Sequence, residues 1–168
     1  IELNPNFSQA YSNLGNILKE QGNLKEAEKA QRKAIELNPN FSQAFSNLGA
    51  ILEDQGNLQG AEKAQRKAIE LNPNFSQAYS NLGNILKEQG NLKEAEKALR
   101  KAIELNPKFV QAYSNLGAVL RDLGELDEAE RAQNKAIQID LNFVNAHYNL
   151  GLILNDKGKL LAAEKSLR

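Results

Sequence analysis

The chain has 168 residues, of which 41% are hydrophobic and 25% charged, a balance typical of a globular protein. Its 21 basic residues equal its 21 acidic residues, so it has no basic excess for nucleic acid or an acidic membrane surface. No apolar run approaches the ~20 residues that span a bilayer, and no signal-peptide pattern opens the chain, which leaves the cytoplasm as the default expectation. The absence of cysteine and the presence of a single histidine disfavour a metal site.

The sequence repeats with a period of 34 residues. The dipeptide Asn-Pro recurs at this spacing, at Asn38-Pro39, Asn72-Pro73 and Asn106-Pro107. Counted from Ser8, the repeats are 8–41, 42–75, 76–109, 110–143 and a shortened 144–168. Residues 1–7 are identical to residues 35–41, and we therefore expect them to be the tail of a preceding repeat. A fixed period of this length is typical of helical repeat arrays.

Each repeat begins with one predicted helix. In the first repeat its apolar face comprises Ala10, Leu14, Ile17 and Leu18. These positions are spaced i, i+4, i+7 and i+8, which places them on one side of an α-helix. Gly22 is expected to end this helix, because glycine readily adopts the left-handed conformation that closes a helix.

A second predicted helix completes each repeat. In the first repeat its apolar face comprises Leu24, Ala27, Ala34 and Ile35. The helix is expected to end near Leu37, because Pro39 prevents its continuation. Asn40, with Gln43 three residues later, has the form of an N-cap and capping box, which predicts that the next helix begins there.

One helix pair cannot bury both of its faces, so neighbouring pairs are expected to stack into a single solenoid domain over residues 1–168. A long coiled coil is the competing interpretation, because 34 residues are close to five heptads. Gly15, Gly22 and Pro39 recur in all or nearly all repeats and would interrupt a continuous helix. The predicted fold class is therefore an all-α solenoid of antiparallel helix pairs.

The repeat resembles the tetratricopeptide repeat family over essentially the whole chain. The matching positions are Tyr11, Leu14, Gly15, Leu18, Gly22, Leu24, Ala27, Ala34 and Pro39. The resemblance implies a right-handed superhelix whose first helices line the concave wall. It also implies a protein or peptide partner, with no catalytic residue, cofactor or metal.

One position departs from the family pattern. Members commonly have a large aromatic residue four positions after the conserved alanine of the second helix. Here the position holds Gln31, Gln65 and Gln133, with Leu99 and Leu167 in the other two repeats. Either the glutamine stem packs while its amide reaches solvent, or the amide makes a polar contact that sets the angle between repeats.

Asparagine recurs at one position of every first helix, away from the apolar face. The row comprises Asn13, Asn47, Asn81, Asn115 and Asn149. An asparagine amide offers both a donor and an acceptor, so it can pair with the backbone of an extended peptide whatever the peptide's side chains. The row resembles the asparagine ladder in the repeat domain of protein O-GlcNAc transferases. The alternative is that these amides bond only within the protein.

Further polar residues flank this row. One helical turn earlier lie Gln9, Gln43, Gln77, Gln111 and Asn145, which could widen the binding surface. Three residues beyond it lie Asn16 and Asn84, but this second row is interrupted in the other repeats. Lysine and arginine are absent from the positions of the family's carboxylate clamp, which disfavours an acidic chaperone tail as partner. Lys19, Lys87 and Arg121 are each followed by an acidic residue, which predicts a self-neutralised rim.

The sequence favours a non-enzymatic scaffold that binds an extended segment along the concave face. Head-to-tail self-assembly is an alternative, because neither end of the array carries an obvious polar cap. A third hypothesis is a substrate-recruiting arm of a larger transferase. His147 occupies the position of an aromatic residue in the other repeats, so it is expected to pack and not to catalyse.

Overall fold

The computed structural model describes residues 7–158, which form nine α-helices and no strand. The first helices of the repeats are α1 (Ser8–Glu20), α3 (Ser42–Asp54), α5 (Ser76–Glu88), α7 (Val110–Asp122) and α9 (Val144–Asp156). The second helices are α2 (Leu24–Leu37), α4 (Leu58–Leu71), α6 (Leu92–Leu105) and α8 (Leu126–Ile139). Residues 1–6 of the predicted tail (1–7) and the end of the fifth repeat at 159–168, with Leu167, lie outside the described residues. No helix among those described is long and apolar enough to cross a membrane.

A glycine turn joins the two helices of each repeat, as predicted. Gly22 has φ +77°, in the left-handed region where a side chain would be strained. Its N–H donates to the Lys19 carbonyl at 2.9 Å, and the Asn23 N–H donates to the Leu18 carbonyl at 2.9 Å. These two bonds form a Schellman motif, which satisfies carbonyls that the helix end would otherwise leave unpaired.

The predicted capping box at Asn40 and Gln43 is wrong. Helix α3 begins at Ser42, its N-cap is Phe41, and no side chain caps it. The Asn40 N–H instead donates to Oδ1 of Asn38 at 3.2 Å, within the turn before the helix. The capping interpretation failed because the Asn-Pro turn already uses Asn40, which shifts the N-cap by one position, from Asn40 to Phe41.

The chain comprises two compact units, Ile1–Ile85 and Leu86–Arg168, called here the N-terminal and C-terminal units. In the N-terminal unit α1 packs on α2, α2 on α3 and α3 on α4, and α1 also contacts α3. In the C-terminal unit α6 packs on α7, α7 on α8 and α8 on α9, and α7 also contacts α9. Consecutive helices therefore bury their apolar faces against their neighbours in sequence, as expected for stacked helix pairs.

Alanine and leucine form the core of the N-terminal unit. The cluster comprises Leu48, Leu52, Ala61, Ala64 and Ile85, with Ile35 and Leu58 packed against it. The small alanines let helix backbones approach closely, and the leucines fill the remaining space. Ile17 is an exception to the predicted core: it is 51% exposed, whereas Ile51 and Ile85 at the same position are 0% exposed. The later helices are thus covered on a side that remains open in α1.

Candidate peptide-binding surface

Two asparagines of the N-terminal unit, Asn47 and Asn81, are held by hydrogen bonds from two directions. Nε2 of Gln43 donates to Oδ1 of Asn47 at 2.9 Å, along the same helix. Nδ2 of Asn47 donates to Oγ of Ser12, in the preceding repeat, at 3.1 Å. The amide is therefore fixed in orientation by one neighbour on its own helix, α3, and one on α1, the first helix of the preceding repeat.

The same arrangement recurs one repeat later. Asn81 accepts from Nε2 of Gln77 at 2.8 Å and donates to Oγ of Ser46 at 3.4 Å. Asn13, in the first described helix, accepts from Nε2 of Gln9 at 3.0 Å. The amides of this row thus do bond within the protein.

In the C-terminal unit one asparagine makes the bond within its own helix, and another makes the bond to a serine of the preceding repeat. Asn115 accepts from Nε2 of Gln111 at 3.0 Å. Asn149 donates to Oγ of Ser114 at 3.2 Å. Asn145, which replaces glutamine in the last repeat, is exposed.

The local bonds leave each doubly bonded amide with unused capacity. An asparagine carries two N–H groups and an oxygen with two lone pairs, and the bonds described use one of each. Asn47 and Asn81 are half-buried, and Asn13 is exposed. Internal bonding and peptide binding are therefore compatible at this position.

The serines that orient the asparagines were missed in the sequence. They are nearly fully buried, at 1% exposure for Ser12, 2% for Ser46 and 1% for Ser114. The signal was present, because Ser-Asn recurs at the same position in the first four repeats. A buried hydroxyl needs a hydrogen-bond partner, so these serines could have been recognised as part of the polar row, although each one orients the asparagine of the next repeat and not its own neighbour.

The two outer asparagines differ from each other. Oδ1 of Asn16 accepts from Nε2 of Gln31 at 3.0 Å, so its carbonyl is directed to the second helix of the same repeat. Asn84 is half-buried on α5. The structure therefore gives Asn16 a local role that the broken sequence row did not indicate.

The charged residues at the ends of the first helices pair between repeats. Lys19 lies 3.2 Å from Asp54, and Lys87 lies 3.7 Å from Asp122. Arg121 donates to Asp156 at 2.5 Å. The predicted neutralisation therefore occurs across neighbouring helices, at a spacing of 35 residues, and not with the next residue in sequence.

Of the two interpretations of the glutamine position, solvent exposure of the amide is wrong, and the polar contact is present but lies within a repeat and not between repeats. Gln31, Gln65 and Gln133 are 0% exposed, so their amides do not reach solvent. Each Nε2 donates to a backbone carbonyl of the first helix in the same repeat, that of Ser12 at 2.9 Å for Gln31. The contact lies inside one helix pair and not between repeats. Glycine is required opposite, because a Cβ on Gly49 would lie 2.5 Å from Nε2 of Gln65.

The part of the chain that the structure describes contains no group of three or more histidine, cysteine, aspartate or glutamate residues that could hold a metal ion. His147 replaces the tyrosine or phenylalanine of the other repeats, and its Nε2 lies 2.9 Å from the Leu141 carbonyl. The candidate surface thus offers neutral amides and paired charges.

Family comparisons identify the repeat. Tetratricopeptide repeat profiles match residues 8–41 and 76–109, residues 42–75, residues 98–131 and residues 117–158. The chain belongs to the tetratricopeptide repeat family.

Solved structures agree with this assignment. MamA is 30% identical, with 91% of this chain and 90% of MamA covered at a TM-score of 0.79. PilF of Pseudomonas aeruginosa is 24% identical, with coverage of 95% and 72% and a TM-score of 0.87. YrrB, described as a tetratricopeptide repeat protein with an unusual peptide-binding site, is 25% identical, with coverage of 97% and 84% and a TM-score of 0.74. The comparison with curated protein sequences gave no significant match. The fold class is thus the predicted all-α repeat solenoid.

Proposed function

We propose that this protein is a non-enzymatic interaction scaffold that binds an extended polypeptide segment through the asparagines of its first helices. Membership of the tetratricopeptide repeat family supports a protein-binding role, as does the similarity to YrrB, which is described as having a peptide-binding site. The partner is a protein or peptide, and the charge balance of the chain gives no support for nucleic acid.

The observation that carries the proposal is the double anchoring of Asn47. Gln43 and Ser12 fix its amide before any ligand arrives, so little side-chain entropy is lost on binding. The amide retains one donor and one acceptor for a ligand. Preorganised groups of this kind bind more tightly than groups that must first be ordered.

The spacing of the asparagines suits an extended chain. Packed helices lie about 8–10 Å apart, and an extended chain advances roughly 3.3–3.6 Å per residue. Within the N-terminal unit, Asn47 and Asn81 on successive first helices would then contact a bound peptide about three residues apart. Because the amides are neutral and address the backbone, binding is expected to be tolerant of peptide sequence and weakly dependent on salt. The likeness to the asparagine ladder of O-GlcNAc transferases supports the same mode.

The test compares wild type with Asn47→Ala/Asn81→Ala. Peptides are first selected on wild-type protein from a phage-displayed library of twelve-residue sequences, and the selected peptide is then measured by calorimetry. The double variant is expected to bind at least ~10-fold more weakly, since two hydrogen bonds between neutral groups, worth ~1 kcal/mol each, are lost. Asn40→Ala is the matched control, because Asn40 is an exposed asparagine in a turn. Equal affinity of the double variant, with unchanged circular dichroism, would eliminate the ladder.

Head-to-tail self-association is a second candidate, favoured by the open side of α1. Ile17 is 51% exposed and Phe7 is 57% exposed, although the residue equivalent to Ile17 in α3, Ile51, is fully covered. A second copy could cover these side chains as the preceding helix pair covers Ile51, a heterologous contact. Light scattering across a hundredfold range of concentration tests this. A mass that rises with concentration in wild type, and not in Ile17→Glu, is expected; a constant monomer mass would remove the idea.

A further inference from the structure

An open groove in the N-terminal unit lies between α2, α3 and α4. Its volume is about 290 Å³, and Asn47 is not among the residues that line it. The floor is apolar and comprises Phe45, Leu48, Leu52 and Ala64. The rim is basic and comprises Arg32, Lys63 and Lys67, with Asn57 and Gly60 at one end. We call it the basic groove.

The C-terminal unit contains a groove of the same construction 68 residues later. Its volume is about 320 Å³. Its floor comprises Tyr113, Leu116, Leu120 and Ala132, and its cations are Arg100, Arg131 and Lys135. The difference in charge lies at one rim position, where Glu128 stands in place of Gly60.

Glu128 neutralises the C-terminal groove from inside. Its Oε2 accepts from Nη2 of Arg100 at 2.6 Å, and its Oε1 lies 3.9 Å from Nη2 of Arg131. The hydrogen bond to Glu128 raises the pKa of Arg100, as does a second bond to Glu96. Two of the three cations of this groove are therefore engaged by one carboxylate.

The basic groove has no carboxylate among its lining residues. Carboxylates outside the lining hold two of its cations, Glu28 pairing with Arg32 at 2.8 Å and Glu70 with Lys67 at 2.6 Å, so Lys63 is the cation that the missing acid concerns. The position of Gly60 is occupied by Glu26, Glu94 and Glu128 in three of the other repeats and by Ala162 in the fifth. In the first repeat Glu26 pairs with Lys29 at 2.8 Å. Lys63 is the residue equivalent to Lys29, it is exposed, and the structure shows it with no ion pair. Because residue 60 is glycine, Lys63 lacks the carboxylate that pairs with the equivalent cation, Lys29, in the first repeat.

A second departure of the same repeat lies in the same groove. Phe45 occupies the position that holds Tyr11, Tyr79, Tyr113 and His147 in the other repeats. Its ring is half-buried in the floor and carries no hydroxyl. The changes at residues 45 and 60 therefore act together: one makes the floor more apolar and the other leaves the rim more positive.

We infer that the basic groove binds a short acidic segment of a partner protein that carries one large apolar side chain. The apolar side chain would lie on Phe45 and leave water, which is the main source of affinity. Carboxylates beside it would pair with Lys63 and with Arg32, whose guanidinium Glu28 already holds in place at 2.8 Å. This surface is independent of the asparagine rows, so the protein would have a second binding site.

The experiment uses the whole chain and a fluorescein-labelled heptapeptide with a central phenylalanine flanked by aspartate and glutamate. Fluorescence anisotropy is expected to show saturable binding that weakens as salt is raised, because exposed charges are screened. Two control peptides, one with phenylalanine replaced by serine and one with the acids replaced by their amides, are each expected to bind at least ~10-fold more weakly. Absence of binding by the acidic phenylalanine peptide at millimolar protein would overturn the inference.

Gly60→Glu is the decisive variant, since it gives the basic groove the carboxylate of its C-terminal counterpart. A Cβ on Gly60 would meet only the flexible Asn57 side chain, at 2.7 Å, and three other repeats carry glutamate here, so folding is expected to persist. Gly60→Glu should bind the acidic heptapeptide at least ~10-fold more weakly than wild type. Lys63→Gln should bind it ~3- to 10-fold more weakly, because about one charge-assisted contact is lost. Glu128→Gly should add a second site. Unchanged binding in both Gly60→Glu and Lys63→Gln would reject the groove.

A further variant separates this site from the asparagine rows. Asn47→Ala/Asn81→Ala is expected to bind the acidic heptapeptide as wild type does, and Gly60→Glu is expected to leave binding of the library-selected peptide unchanged. If the asparagine variant alone lost the acidic peptide, the peptide would lie on the asparagine row and the groove assignment would be wrong.

Discussion

Leu99 and Gln65 occupy the same position of the second helix in different repeats, and both are 0% exposed. Leu99 fills its site with apolar atoms. Gln65 donates to the Ser46 carbonyl at 3.0 Å, but its Oε1 is buried without a partner. An unpaired buried acceptor costs roughly 1–3 kcal/mol, so the two side chains fill the same volume at different cost.

The comparison shows that this position requires a buried side chain and accepts both a polar and an apolar one. A glutamine side chain is one bond longer than a leucine side chain. The glutamine depends on a glycine opposite it, because its amide occupies the space that a Cβ would need. A fully buried polar residue recurs in three repeats because each copy has the same glycine and the same carbonyl within reach.

Leu99→Ala should produce the largest effect. Truncation of a fully buried leucine leaves a cavity and is expected to cost about 2–5 kcal/mol of unfolding free energy. Gln65→Ala should cost less, since it removes the unpaired oxygen together with the packing. Urea denaturation followed by circular dichroism measures both. Leu141→Ala is the control, because Leu141 is 74% exposed. A larger loss for Gln65→Ala than for Leu99→Ala would reverse the comparison.

Gly49→Ala comes next. Its Cβ would lie 2.5 Å from Nε2 of Gln65, so the glutamine must leave its rotamer or the helices must separate. We expect a loss of about 1–3 kcal/mol. The double variant Gly49→Ala/Gln65→Ala should be more stable than the sum of the single changes predicts, because the obstructing amide is gone. Strict additivity in urea denaturation would show that the two residues do not obstruct each other.

Gln65→Leu tests the comparison directly with a smaller effect. The change introduces the side chain that the equivalent position 99 already has, and it removes the unpaired Oε1 of Gln65. The expected result is a gain of up to about 1 kcal/mol, read as a higher midpoint in thermal melts. A loss of more than about 1 kcal/mol would mean that the bond to the Ser46 carbonyl holds the helix pair together.

Glu28→Gln should show the smallest effect. A hydrogen bond from Arg32, then one from Gln55, holds the pKa of Glu28 below its ordinary value. A carboxyl whose pKa is lower in the folded state stabilises the protein above its unfolded-state pKa of about 4.3. This stability is lost as pH falls through the pKa of the folded state. In the variant the melting temperature should therefore fall less steeply than in wild type as pH is lowered below about pH 4. The corresponding difference in unfolding free energy should be less than about 0.5 kcal/mol. An identical acid limb in wild type and variant would contradict this.

Much of the fold followed from particular residues. The left-handed glycines and the proline after Leu37 predicted the helix ends, because these residues restrict the backbone whatever surrounds them. Asn40 misled the prediction of the helix start, because a side chain that can cap a helix can equally be used in a turn. The serines behind the asparagine row were not predicted, since their role depends on the first helix of the next repeat and not on their neighbours in sequence.

The sequence by itself determined the repeat, the fold class and the asparagine positions, because periodicity and backbone restriction are local properties. Only the tertiary structure decided that Gln65 is buried, that Ser12 orients Asn47, and that Gly60 leaves Lys63 unpaired beside an apolar floor. These features depend on atoms that helix packing brings together. The hydrogen-bonded residues among them are 19 to 35 positions apart in the sequence. Contacts of that range are set when neighbouring helices pack, which is why they appear only in three dimensions.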